Sequence, residues 1–307
     1  MWASAGLLLL GAVCAGIGGE LFVRGAVRAA AWLRVKPGLI GAIVAAFATS
    51  APELMVGVTA ALEGAPSIAL GNALGANVVN LTLALGLSLL VAPSVLSQGG
   101  ARRDLPAALA VPAITGFALL DGKIGRFDAI VLLLVFAVWL ALSVRQEREA
   151  PEAEMPVGPG GRIATVGLVL AGLATLVLAG EAFVTGALRL ADHFGWDRFV
   201  VGATLVAIGT TIPELATSVI AKLRGQDEIG LGTLLGSCVF NGSFIVPVTA
   251  MIHPISAGLP EVGAALAFGL VAVVAALPYG ARTLGRRRGA LLLGIYVAYL
   301  AALLAIR

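Results

Sequence analysis

Two glutamates stand inside apolar runs of membrane-spanning length, each at the end of a polar cluster with the same spacing: Thr49, Ser50, Pro52, Glu53 and Thr210, Thr211, Pro213, Glu214. A charge at bilayer depth costs roughly a few kcal/mol, so such a group must face protein, water or an ion. Each proline lacks the N–H that would bond the carbonyl four residues back, Ala48 or Gly209, so each helix is expected to bend or break just before its glutamate. Residues three and four apart share one helix face, which puts the hydroxyls and the carboxylate of each cluster together. Two such faces would supply two carboxylates, four hydroxyls and freed carbonyls. That is an oxygen site for a hard cation such as Ca²⁺, which takes about six to eight oxygens. No thiolate or imidazole joins it, which argues against zinc or copper.

The elements that must position these clusters are membrane helices. The chain has 307 residues, 59% hydrophobic and only 12% charged, against roughly a quarter charged in soluble domains. Apolar windows of about 20 residues predict an all-α polytopic membrane protein of ten helices, near 3–25, 37–62, 67–92, 105–120, 127–144, 163–190, 198–222, 229–253, 259–280 and 289–306. The first lacks a basic stretch before its apolar run and reads as a retained span, not a signal peptide. Residues 1–144 form the first five-helix unit and 163–307 the second. Between them, 145–162 reads as a polar, solvated cytoplasmic linker; its acidic residues Glu147, Glu149, Glu152 and Glu154 lack the spacing and glycine turn of an EF-hand.

Fifteen of the twenty Lys and Arg residues fall in alternate loops on one side, so the positive-inside rule puts both termini outside. These scattered charges orient a membrane protein and resemble no nucleic-acid-binding surface. Cys14 and Cys238 lie in apolar runs and read as small buried hydrophobes, with no disulfide, and no cofactor is expected. Three lysines against seventeen arginines point to a GC-rich prokaryotic genome, hence to its plasma membrane.

The chain also repeats itself. A shift of 161 residues, which carries Glu53 onto Glu214, aligns Glu20–Asn80 with Glu181–Asn241 without a gap, with 25 of 61 positions identical. This is a duplication. With five helices per unit, the halves enter the membrane in opposite senses, the inverted-repeat layout of secondary transporters whose site lies at the midplane. The GxxxG pairs Gly71/Gly75 and Gly232/Gly236 are expected to let neighbouring helices approach closely and to bring in the polar turns of Asn77 and Asn80, and of Ser237 and Asn241.

The motifs ATSAPEL and GTTIPEL, followed by GANVVN and GSCVFN, resemble the two alpha-repeats of the sodium/calcium exchanger family within the calcium/cation antiporter superfamily. They span about 37–90 and 198–252. The resemblance implies a central site on the second, third, seventh and eighth helices and Ca²⁺ extrusion driven by Na⁺ entry across the lipid bilayer, with Ca²⁺ and Na⁺ as substrates and no enzymatic activity. By matching positions it makes Glu53 and Glu214 shared ligands of both ions, assisted by the carbonyls of Thr49 and Thr210. The Ala46 carbonyl with Ser50, and the Ala207 carbonyl with Thr211 and Ser237, would hold flanking Na⁺ ions, and Asn80 and Asn241 would complete the centre.

Two departures stand out. Ala76 replaces the family's serine in the first repeat, removing a Na⁺ ligand, and Cys238 replaces the asparagine after Ser237. With Asn at both 80 and 241, where some relatives carry Asp, potassium dependence is not expected. Glu20 is expected to pair with Arg24 one turn on, its repeat mate Glu181 to be structural, and His193 and His253 to play no ligand role. Two other functions compete. A Ca²⁺/H⁺ antiporter keeps the fold and lets protons replace Na⁺ at the glutamates. An intramembrane hydrolase would use Glu53 and Glu214 as an acid/base pair, but the sequence offers it no nucleophile.

Overall fold

The computed structural model describes residues 2–33, 35, 37–62, 64, 66–95, 100–148, 161–194, 207–257, 259–277 and 283–305. Helices fall in the expected windows, but six are long and apolar enough to cross a membrane by length and composition, or seven with the pair Ile40–Thr49 and Ala51–Leu62, which meet at a 47° bend. Ten spans are thus not reproduced: Val262–Ala276 is a shorter apolar helix, and residues 195–206, which include the start of the seventh expected helix, lie outside the described residues. The linker expected over 145–162 lies mostly outside the described residues.

Burial separates a centre from a periphery. Asp227–Ile252 is 94% buried within the protein and Ala69–Val91 78%, whereas Gly6–Leu33, Arg126–Arg145 and Arg162–Ala182 are 22–29% buried. The central helices therefore carry the polar turns, and the outer ones carry leucine and valine on their open faces. The two longest helices, Trp2–Leu33 and Arg162–Phe194, pack on each other. Their contacts run antiparallel: a Cβ on Gly18 would lie 2.9 Å from Leu176 N, one on Gly172 2.5 Å from Phe22 N and one on Gly25 2.8 Å from Val169 N.

Glycine also brings the centre together. A Cβ on Gly232 would stand 2.6 Å from the Gly38 carbonyl, and one on Gly236 2.2 Å from the Ala42 carbonyl. Backbone thus meets backbone there, as the GxxxG reading expects. Gly71 and Gly75 behave otherwise: among the described residues nothing lies within 4 Å of a Cβ on Gly71, and Gly75 meets only Ala207 and Tyr299, at 3.7 and 3.9 Å. The residues related to Gly38–Ala42 by the 161 shift, 199–203, lie outside the described residues.

The repeat is written into local backbone as well as sequence. Both glutamate helices break at the hydroxyl residue expected to ligate, Ser50 (φ −85°, ψ 11°) and Thr211 (φ −86°, ψ 0°). Both polar turns widen into π-helix at the asparagine, over Asn80–Ala84 and Asn241–Ile245. A π turn shifts the N–H that would bond the carbonyl four residues back. Hydroxyls take that role: Thr82 donates to the Val78 carbonyl and Ser243 to the Val239 carbonyl, each at 2.5 Å.

Two short antiparallel ladders join the halves. β1 (Ser94–Val95) pairs with β4 (Thr283–Leu284), and β2 (Lys123–Ile124) with β3 (Ile255–Ser256). Each ladder ties the chain just after a central helix of one half to a loop of the other. Two-residue strands leave no alternation to read in a sequence.

Candidate cation site

The central helices bring every expected side-chain ligand into the interior. Glu53, Glu214, Thr49, Ser50, Thr211, Ser237, Asn80 and Asn241 are all at most 1% exposed, and Thr210 is 9% exposed. The halves touch at this point. Ser50 Oγ lies 2.9 Å from Glu214 Oε1 and 3.0 Å from Ser237 Oγ, and Ser237 Oγ lies 3.3 Å from the same carboxylate oxygen. Three oxygens from three helical segments therefore close a small triangle.

The related triangle is not built. The 161 shift carries Ser50, Glu214 and Ser237 onto Thr211, Glu53 and Ala76. Thr211 turns its hydroxyl onto its own helix, 2.7 Å from the Ala207 carbonyl, and Ala76 has no hydroxyl. Among the described residues neither Glu53 oxygen has a hydrogen-bond partner, nor has Glu214 Oε2, and all three are buried. The expected backbone ligands differ in the same sense. The Ala207 carbonyl accepts from Thr211 N at 3.2 Å, Thr211 Oγ1 at 2.7 Å and Thr210 Oγ1 at 3.3 Å. The Ala46 carbonyl accepts from Ser50 N at 3.0 Å, with Thr49 Oγ1 at 3.5 Å; Thr49 bonds chiefly to the Ala45 carbonyl, at 2.9 Å.

Among the described residues no lysine or arginine pairs with Glu53 or Glu214. Buried carboxylates of like charge without a counter-cation are strongly disfavoured in a low-dielectric interior. The arrangement is suited to accepting a cation. Among the described residues no three His, Cys, Asp or Glu side chains cluster, so the remaining oxygens must be neutral ones, which suits a hard ion and not zinc.

A family model described as "Sodium/calcium exchanger protein" matches residues 3–145 and 164–305, and so takes in both glutamate helices and both polar turns. The chain belongs to the sodium/calcium exchanger family. It is a multi-pass membrane protein of an antiporter family, not an enzyme family. It is similar to the putative antiporter CaxA of Alkalimonas amylolytica, with 34% identity over 91% of this chain and 92% of the relative. The sodium/calcium exchanger MaX1 of Methanosarcina acetivorans is 26% identical over 81% of this chain and 83% of its own. Among solved structures, the sodium-calcium exchanger NCX_Mj superposes with a TM-score of 0.84 at 28% identity, over 97% of this chain and 98% of that one.

Several polar contacts of this exchanger chain were not legible as sites. Asn77 was visible as part of a polar turn, but it reaches across to the other half, donating to the Cys238 carbonyl at 3.1 Å and accepting from Asn241 Nδ2 at 3.0 Å. Lys222, at the end of the Glu214 helix, is buried against the Pro93 carbonyl (2.5 Å), Ser94 Oγ (2.6 Å) and Asp227 Oδ1 (2.6 Å). Asp104 takes Arg103 at 2.6 Å and the Trp139 indole N–H at 3.0 Å. A lone basic residue near a helix end carries no sequence signal that separates such an anchor from a solvated charge. Glu20 does pair with Arg24 as expected, and Arg224 joins it. Cys14 and Cys238 are free thiols. His253 is exposed, with its ring nitrogen 3.0 Å from the Pro254 carbonyl.

Proposed function

We propose that the protein exchanges Ca²⁺ for Na⁺ across a plasma membrane by alternating access, with two inverted five-helix halves presenting one midplane site to either side. One observation carries the reading: Glu53 and Glu214 are fully buried and lack ion pairs among the described residues, and Glu214 takes neutral hydroxyls from both halves, those of Ser50 and Ser237. One divalent ion neutralises both carboxylates, and so do two monovalent ions together, so the charge states of a Ca²⁺-loaded and a Na⁺-loaded site are alike. That equivalence permits counter-transport at a single centre. Glu53 and Glu214 are the shared ligands, with the Thr49 and Thr210 carbonyls beside them. Ser237, which the resemblance grouped with Thr211 and the Ala207 carbonyl, is assigned instead to the flank of Ser50 and the Ala46 carbonyl, because its hydroxyl lies 3.0 Å from Ser50 Oγ; these serve one Na⁺ ion, Thr211 and the Ala207 carbonyl the other, and Asn80 and Asn241 complete the centre. The excess of basic residues on one side places both termini outside.

The second reading, proton in place of Na⁺, draws on the unequal flanks, because Ala76, the engaged Thr211 hydroxyl and the engaged Ala207 carbonyl leave fewer oxygens beside Glu53. Sealed proteoliposomes carrying the purified protein decide between them. ⁴⁵Ca²⁺ uptake driven by an outward Na⁺ gradient at clamped pH supports Na⁺ coupling, and uptake driven only by a pH gradient supports the alternative. No uptake under either gradient removes both.

A further inference from the structure

Asn77, Cys238 and Asn241 form a line of hydrogen bonds with one direction. Asn77 Nδ2 donates to the Cys238 carbonyl at 3.1 Å, so its Oδ1 faces the other way and accepts from Asn241 Nδ2 at 3.0 Å. With its amide nitrogen engaged there, Asn241 keeps Oδ1 buried and without a partner among the described residues. Turning over either amide would set acceptor against acceptor or donor against donor along the line. The Cys238 carbonyl thus dictates the orientation of Asn241 through Asn77.

The same line does not exist for Asn80. The 161 shift carries Asn77 onto Cys238 and Asn80 onto Asn241, so the amide that would orient Asn80 is replaced by a thiol. That thiol points to the Asn77 carbonyl at 3.9 Å, and both Nδ2 and Oδ1 of Asn80 are buried without a partner among the described residues. Two asparagines at matching positions of the repeat therefore differ in kind. One is held with its oxygen presented, and the other must be turned and held by whatever binds.

We propose that Asn77 is a positioning residue that fixes Asn241 as an oxygen ligand of the transported cation, and that Cys238 has removed the equivalent control over Asn80. The inference rests on the cation-site reading of Glu53 and Glu214. A ligand oriented in advance binds without the cost of ordering it at that moment, and a buried polar group left unpaired weakens the state that contains it.

The test is Ca²⁺ uptake by the full-length protein in proteoliposomes, titrated separately with Ca²⁺ and with Na⁺. Asn77→Ala is expected to raise the half-saturating concentration of at least one of the two ions by about fivefold, with the maximal rate per folded protein within about twofold of the parent. Cys238→Asn is expected to shift the same quantity in the opposite direction. A lower maximal rate with both half-saturating concentrations unchanged is what a purely structural asparagine gives, and overturns the proposal. If Asn77→Ala yields no folded protein, Cys238→Asn decides: tighter half-saturation supports the proposal, and no shift for either ion overturns it. Glu53→Gln measured alongside separates the layers. Its full activity would remove the cation-site reading itself, whereas an inactive Glu53→Gln beside silent Asn77 and Cys238 variants removes the positioning role alone.

Discussion

Ser50 of the first half touches Glu214 of the second, hydroxyl to carboxylate, at 2.9 Å. The residue at which one helix breaks is thus bonded to the charge carried by the other broken helix, and a change of either half is felt at the shared oxygen. Glu53, by contrast, has no hydrogen bond to either oxygen among the described residues. In the proposed site both carboxylates balance a divalent ion in a medium where an unbalanced charge costs roughly a few kcal/mol. Glu53→Gln and Glu214→Gln are each expected to cut Ca²⁺ transport by roughly tenfold or more, read as initial ⁴⁵Ca²⁺ uptake per reconstituted protein. Parent-like uptake by either variant would mean that its carboxylate is not a ligand.

Acid should weaken the site. Metal ligands must be deprotonated, so protons and Ca²⁺ compete for the same two carboxylates, and binding Ca²⁺ releases protons. The apparent Ca²⁺ affinity is expected to fall as pH drops from about 8 to about 5.5, measured as the half-saturating Ca²⁺ concentration with Na⁺ and voltage fixed. An affinity flat across that interval would show that the carboxylates do not carry the ion.

Much of this was legible in the sequence because membrane burial makes polar residues expensive, so Thr49, Ser50, Glu53 and their repeat mates could not be ornamental. The break at Ser50 followed from Pro52 in the same way. What the sequence withheld depends on pairing across the 161-residue offset. Asn77 and Asn241, or Ser50 and Ser237, are far apart in the chain, and nothing in their types says which asparagine will be oriented and which left free. The π turns at Asn80 and Asn241 were hidden for a related reason, since a π turn changes hydrogen-bond register without changing composition. Lys222 looked like a loop charge and is a buried anchor, because its partners are a proline carbonyl and a serine at positions 93 and 94.

Glu20 and Arg224 hold the first long helix to the end of the Glu214 helix. Arg224 Nε donates to Glu20 Oε2 at 2.8 Å, a second bond joins Arg224 to Glu20 Oε1, and Arg24 meets the same carboxylate. The related pair is Glu181 with Glu63, like charges that cannot bond this way. Arg224 is half exposed, so screening limits the link to about 1 kcal/mol. Arg224→Glu is expected to lower the thermal midpoint of the purified protein, and Glu20→Arg on that background to recover most of the loss. A double variant no better than Arg224→Glu alone would show that the contact contributes nothing to stability.

The last prediction concerns the flank beside Glu53. Ser237 contributes one corner of the oxygen triangle with Ser50 and Glu214, while its repeat mate Ala76 is fully buried and offers only a methyl group. Thr211 cannot make up the difference without releasing the Ala207 carbonyl, which it holds at 2.7 Å. In the proposed exchange one Na⁺ position would therefore be poorer in oxygen than the other, and by the repeat a hydroxyl added at 76 is expected to face the Glu53 carboxylate as Ser237 faces Glu214. Ala76→Ser is expected to increase Na⁺ affinity, or the Hill coefficient of Na⁺-driven Ca²⁺ efflux, and Ser237→Ala to decrease it. Each ligand is worth on the order of 1 kcal/mol, or several-fold in half-saturation. The half-saturating Ca²⁺ concentration should move little in either variant, because Glu53 and Glu214 are untouched. Efflux against Na⁺ concentration in proteoliposomes at fixed voltage reads both effects. If Ala76→Ser leaves the Na⁺ dependence unchanged while Ser237→Ala weakens it, either a carbonyl or water already fills that coordination position or the flank beside Glu53 does not take Na⁺.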